Sequence, residues 1–437
     1  MEQPEEFGTN KKYNIVILTA SHPYKVSGIV AFDLMQCLNQ SGCNVKIVTS
    51  SRLEKKYENT ITITGTLLGI YQRLKNRLKP KVQNEHLFDS NYYMDGIDEK
   101  KSTFKAKKIL KKISFKPDAF IYLFPQFFLS TSDLHYLNKK TNAPILWYMM
   151  DMAPITGGCH YAWDCLGYTK ECGHCPGIYS NNSKDKTNLN WLNKFDFIEK
   201  SNIIPIAASQ WQFDQLKRSS LFINKPHYKI HLPINNDLFK PGNKSEARNQ
   251  LGLPQDKQLI FFGAVSVKEI RKGYKELIES LIILKNQISE EQIKDIHLII
   301  AGRNNEEMIK DLPFSHTFLG FLNYSNLALA FQAANVFVCP SIEDSGPMMI
   351  NQSIMCGTPV ASFEMGVAID LVHNGVTGHR AKLRDCNDLA SGLKNILEMK
   401  TAEKERMSLN CIELSQKILQ PNIIAEKFRE ILSKNTY

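Results

Sequence analysis

From residue 14 almost to the end of the chain, short apolar runs alternate with stretches of helical spacing. NIVILTA at 14–20 is a branched, apolar run of strand length, followed by the loop SHPYKVSG, a helical pattern from Ile29 to Asn39, a break at Ser41-Gly42 and a second strand, NVKIVTS. A strand, helix, strand unit of this kind builds parallel sheet. DAFIYLF at 118–124, APILWYM at 143–149 and IIPIAAS at 203–209 predict three further strands. A second series begins after the turn-rich stretch NNDLFKPGNKSEARNQLGLPQDK. It comprises QLIFFGA at 258–264, IHLIIAG at 296–302, the short HTFLG at 316–320, NVFVCP at 335–340 and TPVASF at 358–363, most of them followed by a helical pattern. The pattern predicts an α/β protein of two parallel-sheet domains in tandem, joined near residues 210 to 257. Ligands of open parallel sheets bind beyond the carboxyl ends of the strands, so the expected site is the cleft between the two domains.

Composition sharpens this picture. A chain of 437 residues with 43% hydrophobic and 22% charged residues is that of a folded protein of two or three domains. Its polar, acidic start, MEQPEEFGTNKKY, lacks an apolar signal core, and no run of about 18 apolar residues follows, so a cytoplasmic location is expected. Cysteines there are expected as thiols or metal ligands rather than disulfides. Of the ten, Cys37, Cys43, Cys339, Cys356, Cys386 and Cys411 are scattered through apolar patterns and read as small buried hydrophobes. The formal charge of +10 is concentrated between Lys55 and Lys116. Over residues 65–81, Leu67, Ile70, Tyr71, Leu74 and Leu78 fall at helical spacing with Arg73, Lys75, Arg77, Lys79 and Lys81 mostly on the other face. Such a helix either makes a peripheral contact with the inner membrane face or packs its apolar side on its own domain. Nucleic acid is not an expected partner, because no recognition motif with interleaved aromatics accompanies the charge. Neither first turn carries GxGxxG, which argues against a dinucleotide dehydrogenase.

Two stretches carry candidate chemistry. In PSIEDSGPMMINQSIMCGTPVASF, residues 340–363, a strand ends at Pro340 and a loop carries Glu343 and Gly346. Pro347 suits a first helical position, and Met348 to Cys356 continue as helix until Gly357 and Pro359 end it. A helix N-terminus preceded by glycine suits a phosphate or diphosphate. Glu343 at its mouth is suited to sugar hydroxyls, and Asn351 lies one to two turns into the helix. In MMDMAPITGGCHYAWDCLGYTKECGHCPGI, residues 149–178, Cys159, Cys165, Cys172 and Cys175 crowd one Gly-punctuated loop, with His160 and His174 nearby. The tight CGHC knuckle suits two thiolates on one tetrahedral ion. Four thiolates suit structural zinc, with an iron-sulfur cluster the second choice and reduced thiols in a packed loop the alternative. A closed four-thiolate site leaves no open position for catalysis.

The 340–363 stretch resembles the donor-binding signature of family 4 glycosyltransferases of the GT-B fold, which runs from PS through an acidic pair spanning a Gly loop to a GTPV-like strand start. SQWQFDQLKRSSLF at 209–222, KIHLPINNDLFKP at 229–241, RKGYKEL at 271–277, GFLNYSNLALAFQAANVFVCPS at 320–341 and GVAIDLVHNGVTGHRA at 366–381 are also similar to family stretches. More narrowly, TGGCHY with the later cysteines is similar to a subgroup that includes colanic acid and capsular polysaccharide glycosyltransferases.

The resemblance implies two Rossmann-like domains facing a cleft: an acceptor-side domain over 1–210, a nucleotide-sugar domain over 211–415, and a C-terminal helix, 416–437, crossing back to the first. It implies a nucleotide-sugar donor, a glycan or lipid-linked glycan acceptor, transfer with retention and a part in cell-surface polysaccharide synthesis. Lys272, with Arg271, and the amides near Gly346, Pro347 and Met348 would face the diphosphate, where charge develops as the glycosidic bond breaks. Glu343 would hold the donor sugar and Asn351 the ribose, while the loop from His22 to Gly28 would approach the phosphates. No DxD triplet is present, so no catalytic metal or other catalytic cofactor is expected. Three positions depart from the family pattern. Asn351 replaces the second Glu and bonds a diol without charge assistance. Ala264 stands where many relatives have Arg. Met150 stands where the family has a His close to the transferred sugar, leaving Asp151 as the catalytic candidate there, or as a loop cap. These departures keep open a second reading, a non-catalytic GT-B protein that binds a sugar or a partner.

Overall fold

The computed structural model describes residues 11–25, 28–63, 88–94, 99, 102, 104–266, 269–303 and 312–436. The basic stretch 65–81 lies outside the described residues. Two wholly parallel sheets organise the chain. The first has the order β3-β2-β1-β4-β5-β6-β7, from β1 (Asn14–Thr19), β2 (Asn44–Thr49), β3 (Thr60–Thr62), β4 (Ala119–Leu123), β5 (Ile145–Tyr148), β6 (Ile203–Ala207) and β7 (Tyr228–Lys229). The second has the order β10-β9-β8-β11-β12-β13, from β8 (Gln258–Gly263), β9 (Ile296–Ala301), β10 (Ser315–Phe318), β11 (Val336–Cys339), β12 (Val360–Phe363) and β13 (Gly378–Ala381).

Burial follows the period of two of a strand. On β1, Val16 and Leu18 enter one apolar core while Ile15 and Ile17 enter the other, so the sheet is covered on both faces. On β8, Phe261 and its neighbours Ile260 and Phe262 divide between two cores in the same way. In each sheet the first strand lies between the next strand on one side and a later one on the other, from which the order continues outward: β1 pairs with β2 and β4, and β8 with β9 and β11. Such a reversal of strand order opens a crevice at the carboxyl ends. The two crevices face each other, which makes this a GT-B architecture.

Two boundaries differ from the sequence reading. Leu216, Leu221 and Phe222 pack into the first domain, β7 extends its sheet, and Leu232 still belongs to its core, whereas Ile234 enters the second. The chain therefore leaves the first domain near residue 233 rather than at 210, because a two-residue edge strand shows no periodicity in the sequence. The final helix, Pro421–Asn435, begins at Pro421 rather than at 416, and it lays Ile424, Ala425, Phe428, Ile431 and Leu432 against Ile15, Val30 and Leu34 of the first domain. Among the described residues no helix is long and apolar enough to cross a membrane.

Candidate active site

The second-domain wall of the cleft comes from two loops pinned together. After β8, Ile270–Lys272 form a single 3-10 turn that ends at Gly273, with φ of 68°. A Cβ on Gly273 would lie 1.7 Å from the Pro340 carbonyl oxygen, so only glycine permits this approach. The Arg271 carbonyl then accepts the Ile342 and Glu343 N–H groups at 2.9 and 3.3 Å, fixing the loop after β11 beside Arg271 and Lys272. Helical geometry begins at Met348 and runs to Met355. Pro347 precedes it with ψ of 105°, one residue outside the first helical position expected, because that ψ is extended rather than helical.

Charge is tightly matched here. Arg271 bonds Glu269 Oε2 at 2.6 Å and Asp344 Oδ2 at 3.0 Å, and Lys272 Nζ meets the same Asp344 oxygen at 2.6 Å. The Arg271 guanidinium also lies over the Tyr161 ring of the first domain, 4.4 Å from its centroid. Burial works against the Asp344 charge, but Lys272 and Arg271 outweigh it and hold the carboxyl below its ordinary range. Glu343, one residue earlier and also buried, behaves in the opposite way. Burial, aided by Asp344 and Asp164, pushes it up to about 7 despite an N–H from Trp163. Glu343 Oε1, Ser345 Oγ and Asn351 Oδ1 are buried without a hydrogen-bond partner. Ala264, in the place of the family Arg, is buried at the end of β8 and adds no charge.

The first-domain wall is assembled from separate elements. Asp151 follows β5 and bonds His160 Nδ1 through Oδ2 at 2.7 Å, while its Oδ1 accepts the Ala153 N–H at 2.8 Å. Gln126 Nε2 approaches the same imidazole nitrogen at 3.2 Å, and Gln212 Nε2 donates to the Asp151 carbonyl at 3.1 Å. Met150 packs against the apolar core. His22 accepts the Tyr24 N–H on Nδ1, and its buried Nε2 has no partner. A Cβ on Gly28 would come 2.3 Å from the His22 carbonyl oxygen, so glycine lets this loop fold back on itself. Across the cleft, Ser209 Oγ donates to the Ser345 carbonyl at 2.5 Å. Asp370 of the second domain bonds Lys229 at 2.6 Å and the Gln210 N–H at 2.7 Å.

Two residues of interest escaped the sequence reading. The sequence places His160 only beside the cysteines, and its pairing with Asp151 has no local signature. Asp33, on the helix Ile29–Gln40, is buried, and desolvation pushes its carboxyl up to about 7 although the Asn235 N–H counters this. A lone acid in an apolar helical pattern was the available signal.

The cysteine loop is anchored from beneath. Lys194 is almost wholly buried and donates to the carbonyls of Ala153 and Thr156 at 2.7 and 2.9 Å, with Glu99 at 3.8 Å. Cys159, Cys165, Cys172 and Cys175 line one cavity with Tyr92, Tyr168 and Thr187. The Gly157 N–H donates to Cys172 Sγ at 3.2 Å and the Gly167 N–H to Cys165 Sγ at 3.4 Å. The knuckle Cys172-Gly173-His174 holds φ of 54°, 89° and 46°. Burial pushes the Cys172 thiol up to about 12. As placed, no three His, Cys, Asp or Glu side chains among the described residues form a group that could hold a metal ion.

Comparison with known proteins agrees with this architecture. Residues 243–413 match the family model Glycosyl transferases group 1. A D-inositol 3-phosphate glycosyltransferase of Mycolicibacterium paratuberculosis is 29% identical over 191 residues, 41% of either chain. An uncharacterized glycosyltransferase of Methanocaldococcus jannaschii is 26% identical over 246 residues, 53% of this chain and 58% of its own. The chain thus spans about two fifths to three fifths of the length of these curated relatives. Among solved structures, sucrose-phosphate synthase from Thermosynechococcus elongatus superposes with a TM-score of 0.67 at 18% identity, covering 97% of this chain and 99% of its own. Anabaena HepE in complex with UDP-glucose superposes at 0.64 and 15% identity, covering 97% and 100%. The chain has the GT-B fold, and its residues 243–413 are similar to the glycosyl transferases group 1 family.

Proposed function

We propose that this protein is a family 4 glycosyltransferase that moves a hexosyl group from a nucleotide-diphosphate donor to a glycan acceptor. The bond from the anomeric carbon to the diphosphate oxygen breaks, and the nucleotide diphosphate leaves with the electron pair. The acceptor hydroxyl adds on the same face and passes its proton to the departing diphosphate oxygen, so configuration is retained. Lys272 and Arg271 face the departing charge together with the amides of Gly346 and Met348, Glu343 holds the sugar, Asn351 the ribose, and His22 with Gly28 the phosphates from the other side. Asp151, with His160, serves the first-domain side.

The observation that carries this reading is the row of buried, unpartnered polar atoms on Glu343, Ser345 and Asn351, beside two cations and a helix N-terminus. Buried polar groups without partners are costly and rare, and a ligand rich in hydroxyl and phosphate oxygens would satisfy them. HepE was solved with UDP-glucose, which supports a sugar nucleotide as donor. The cysteine-loop resemblance supports a lipid-linked acceptor and a capsule or exopolysaccharide product, made in the cytoplasm at the inner membrane face. Hydrolysis of a panel of UDP-, GDP- and ADP-sugars tests the reading. One donor should be turned over, and Lys272→Ala should lower that rate by about 10²–10³-fold, the size expected for losing a charge-stabilising donor. Binding without turnover by any donor or added acceptor would instead favour the non-catalytic reading, for which Asn351 and Met150, the latter packed against the apolar core, are the motives.

We also propose structural zinc for the four-cysteine loop. The donor chemistry fits, since four thiols share one cavity and two receive backbone N–H groups, but the sulfurs must turn inward to form a ligand set. Purified protein should then contain about one equivalent of zinc. Less than roughly a tenth of an equivalent of zinc or iron would sink the idea.

A further inference from the structure

The cations assigned to the donor's diphosphate are already engaged. Asp344 Oδ2 bonds Arg271 at 3.0 Å and Lys272 at 2.6 Å, and Asp344 Oδ1 accepts the Gly346 N–H at 3.2 Å. A guanidinium, an ammonium and a loop amide just ahead of a helix are the three kinds of donor a phosphate group takes. One side chain of the protein makes all three contacts. Glu269 bonds Arg271 as well, at 2.6 Å, so two cations face two carboxylates and the set carries no formal net charge. Asp344 is only 7% exposed. A diphosphate entering beside this intact set would bring at least two negative charges into a buried, neutral region, which low dielectric makes costly.

We propose that Asp344 is an internal stand-in for the donor diphosphate, a specificity residue that keeps the empty site neutral. It yields Arg271 and Lys272 only to an anion with more charge and more acceptor oxygens than one carboxylate. This rests on the donor-site reading above. Release is a rotation of the side chain rather than a shift of the loop, because the Asp344 carbonyl is packed so closely on Gly366 that a Cβ there would come within 2.6 Å. Glu343 does not take the same part, since its carboxylate receives the Trp163 N–H and, among the described residues, Arg271 and Lys272 bond Asp344 instead.

Calorimetric titration of the full chain with inorganic pyrophosphate, and separately with inorganic phosphate, tests the proposal. Asp344→Asn should bind pyrophosphate at least about tenfold tighter than the native protein, since one competing charge is gone. Its preference for pyrophosphate over phosphate should shrink. Equal or weaker pyrophosphate binding by Asp344→Asn, with Lys272→Ala still weakening the native affinity, makes Asp344 an anchor of the cations and overturns the proposal alone. Pyrophosphate binding that is absent, or indifferent to Lys272→Ala, removes the donor-site reading and this inference with it. Should Asp344→Asn fail to fold, a crystal of the native protein with pyrophosphate decides. A phosphate oxygen on Lys272 with Asp344 beyond about 4 Å supports the proposal, and pyrophosphate bound with both Asp344 contacts intact overturns it.

Discussion

The two walls of the cleft are built on different principles. On the second domain, the candidate groups come from two loops pinned together by backbone hydrogen bonds, Arg271 and Lys272 on one, and Glu343 to Asn351 on the other and the helix it enters. On the first, Gln126, Asp151, His160 and Gln212 come from four separate places and meet only through packing. A wall made from backbone amides needs little beyond its own loop. A wall made from a side-chain network depends on whatever holds its segments, and here that is a buried lysine under an irregular loop.

The largest effect expected from breaking this contrast is therefore on the first wall. Lys194→Met removes the donor to two carbonyls and leaves Glu99 buried without its cation, which should lower folding stability by about 3–5 kcal/mol, read from urea denaturation. The variant should also lose order in the cysteine loop. A loss below about 1 kcal/mol would mean that the loop holds itself.

The second wall is better probed by pH. Glu343 has its carboxyl pushed up to about 7, so the fold favours its neutral form, and native stability falls as pH rises from the ordinary glutamate range through about 7. Glu343→Gln is neutral throughout. It should exceed the native protein in stability by up to about 3 kcal/mol above pH 8, and the gap should close toward about pH 4.5. A gap that does not change with pH would show that Glu343 folds as a solvated anion. Asp344, next in the chain, has the opposite sign: its depressed carboxyl stabilises the fold above the ordinary aspartate range and that stability is lost as pH falls through the depressed value.

The smallest effect belongs to one of the contacts that join the walls. Ser209 caps the helix Gln210–Arg218 through the Gln212 N–H at 3.2 Å and donates to the Ser345 carbonyl. Ser209→Ala should cost about 1 kcal/mol in a thermal melt.

The amino-acid sequence by itself determined the alternation of strands and helices, the two parallel sheets and the donor-side loop, because each depends on neighbours within a few residues. Apolar runs of strand length, a proline before a helix and the Gly357 and Pro359 that end it are local demands. Edge strands as short as β7 carried no such signal, so the domain boundary came out some twenty residues early. Only the tertiary structure decided that His160 turns to Asp151 and that Asp344 takes both cations. It alone pushed the carboxyls of two adjacent acids in opposite directions. Those outcomes depend on burial and on charges brought together from distant parts of the chain, and no spacing along the chain encodes the distance between two side chains or the water excluded around them.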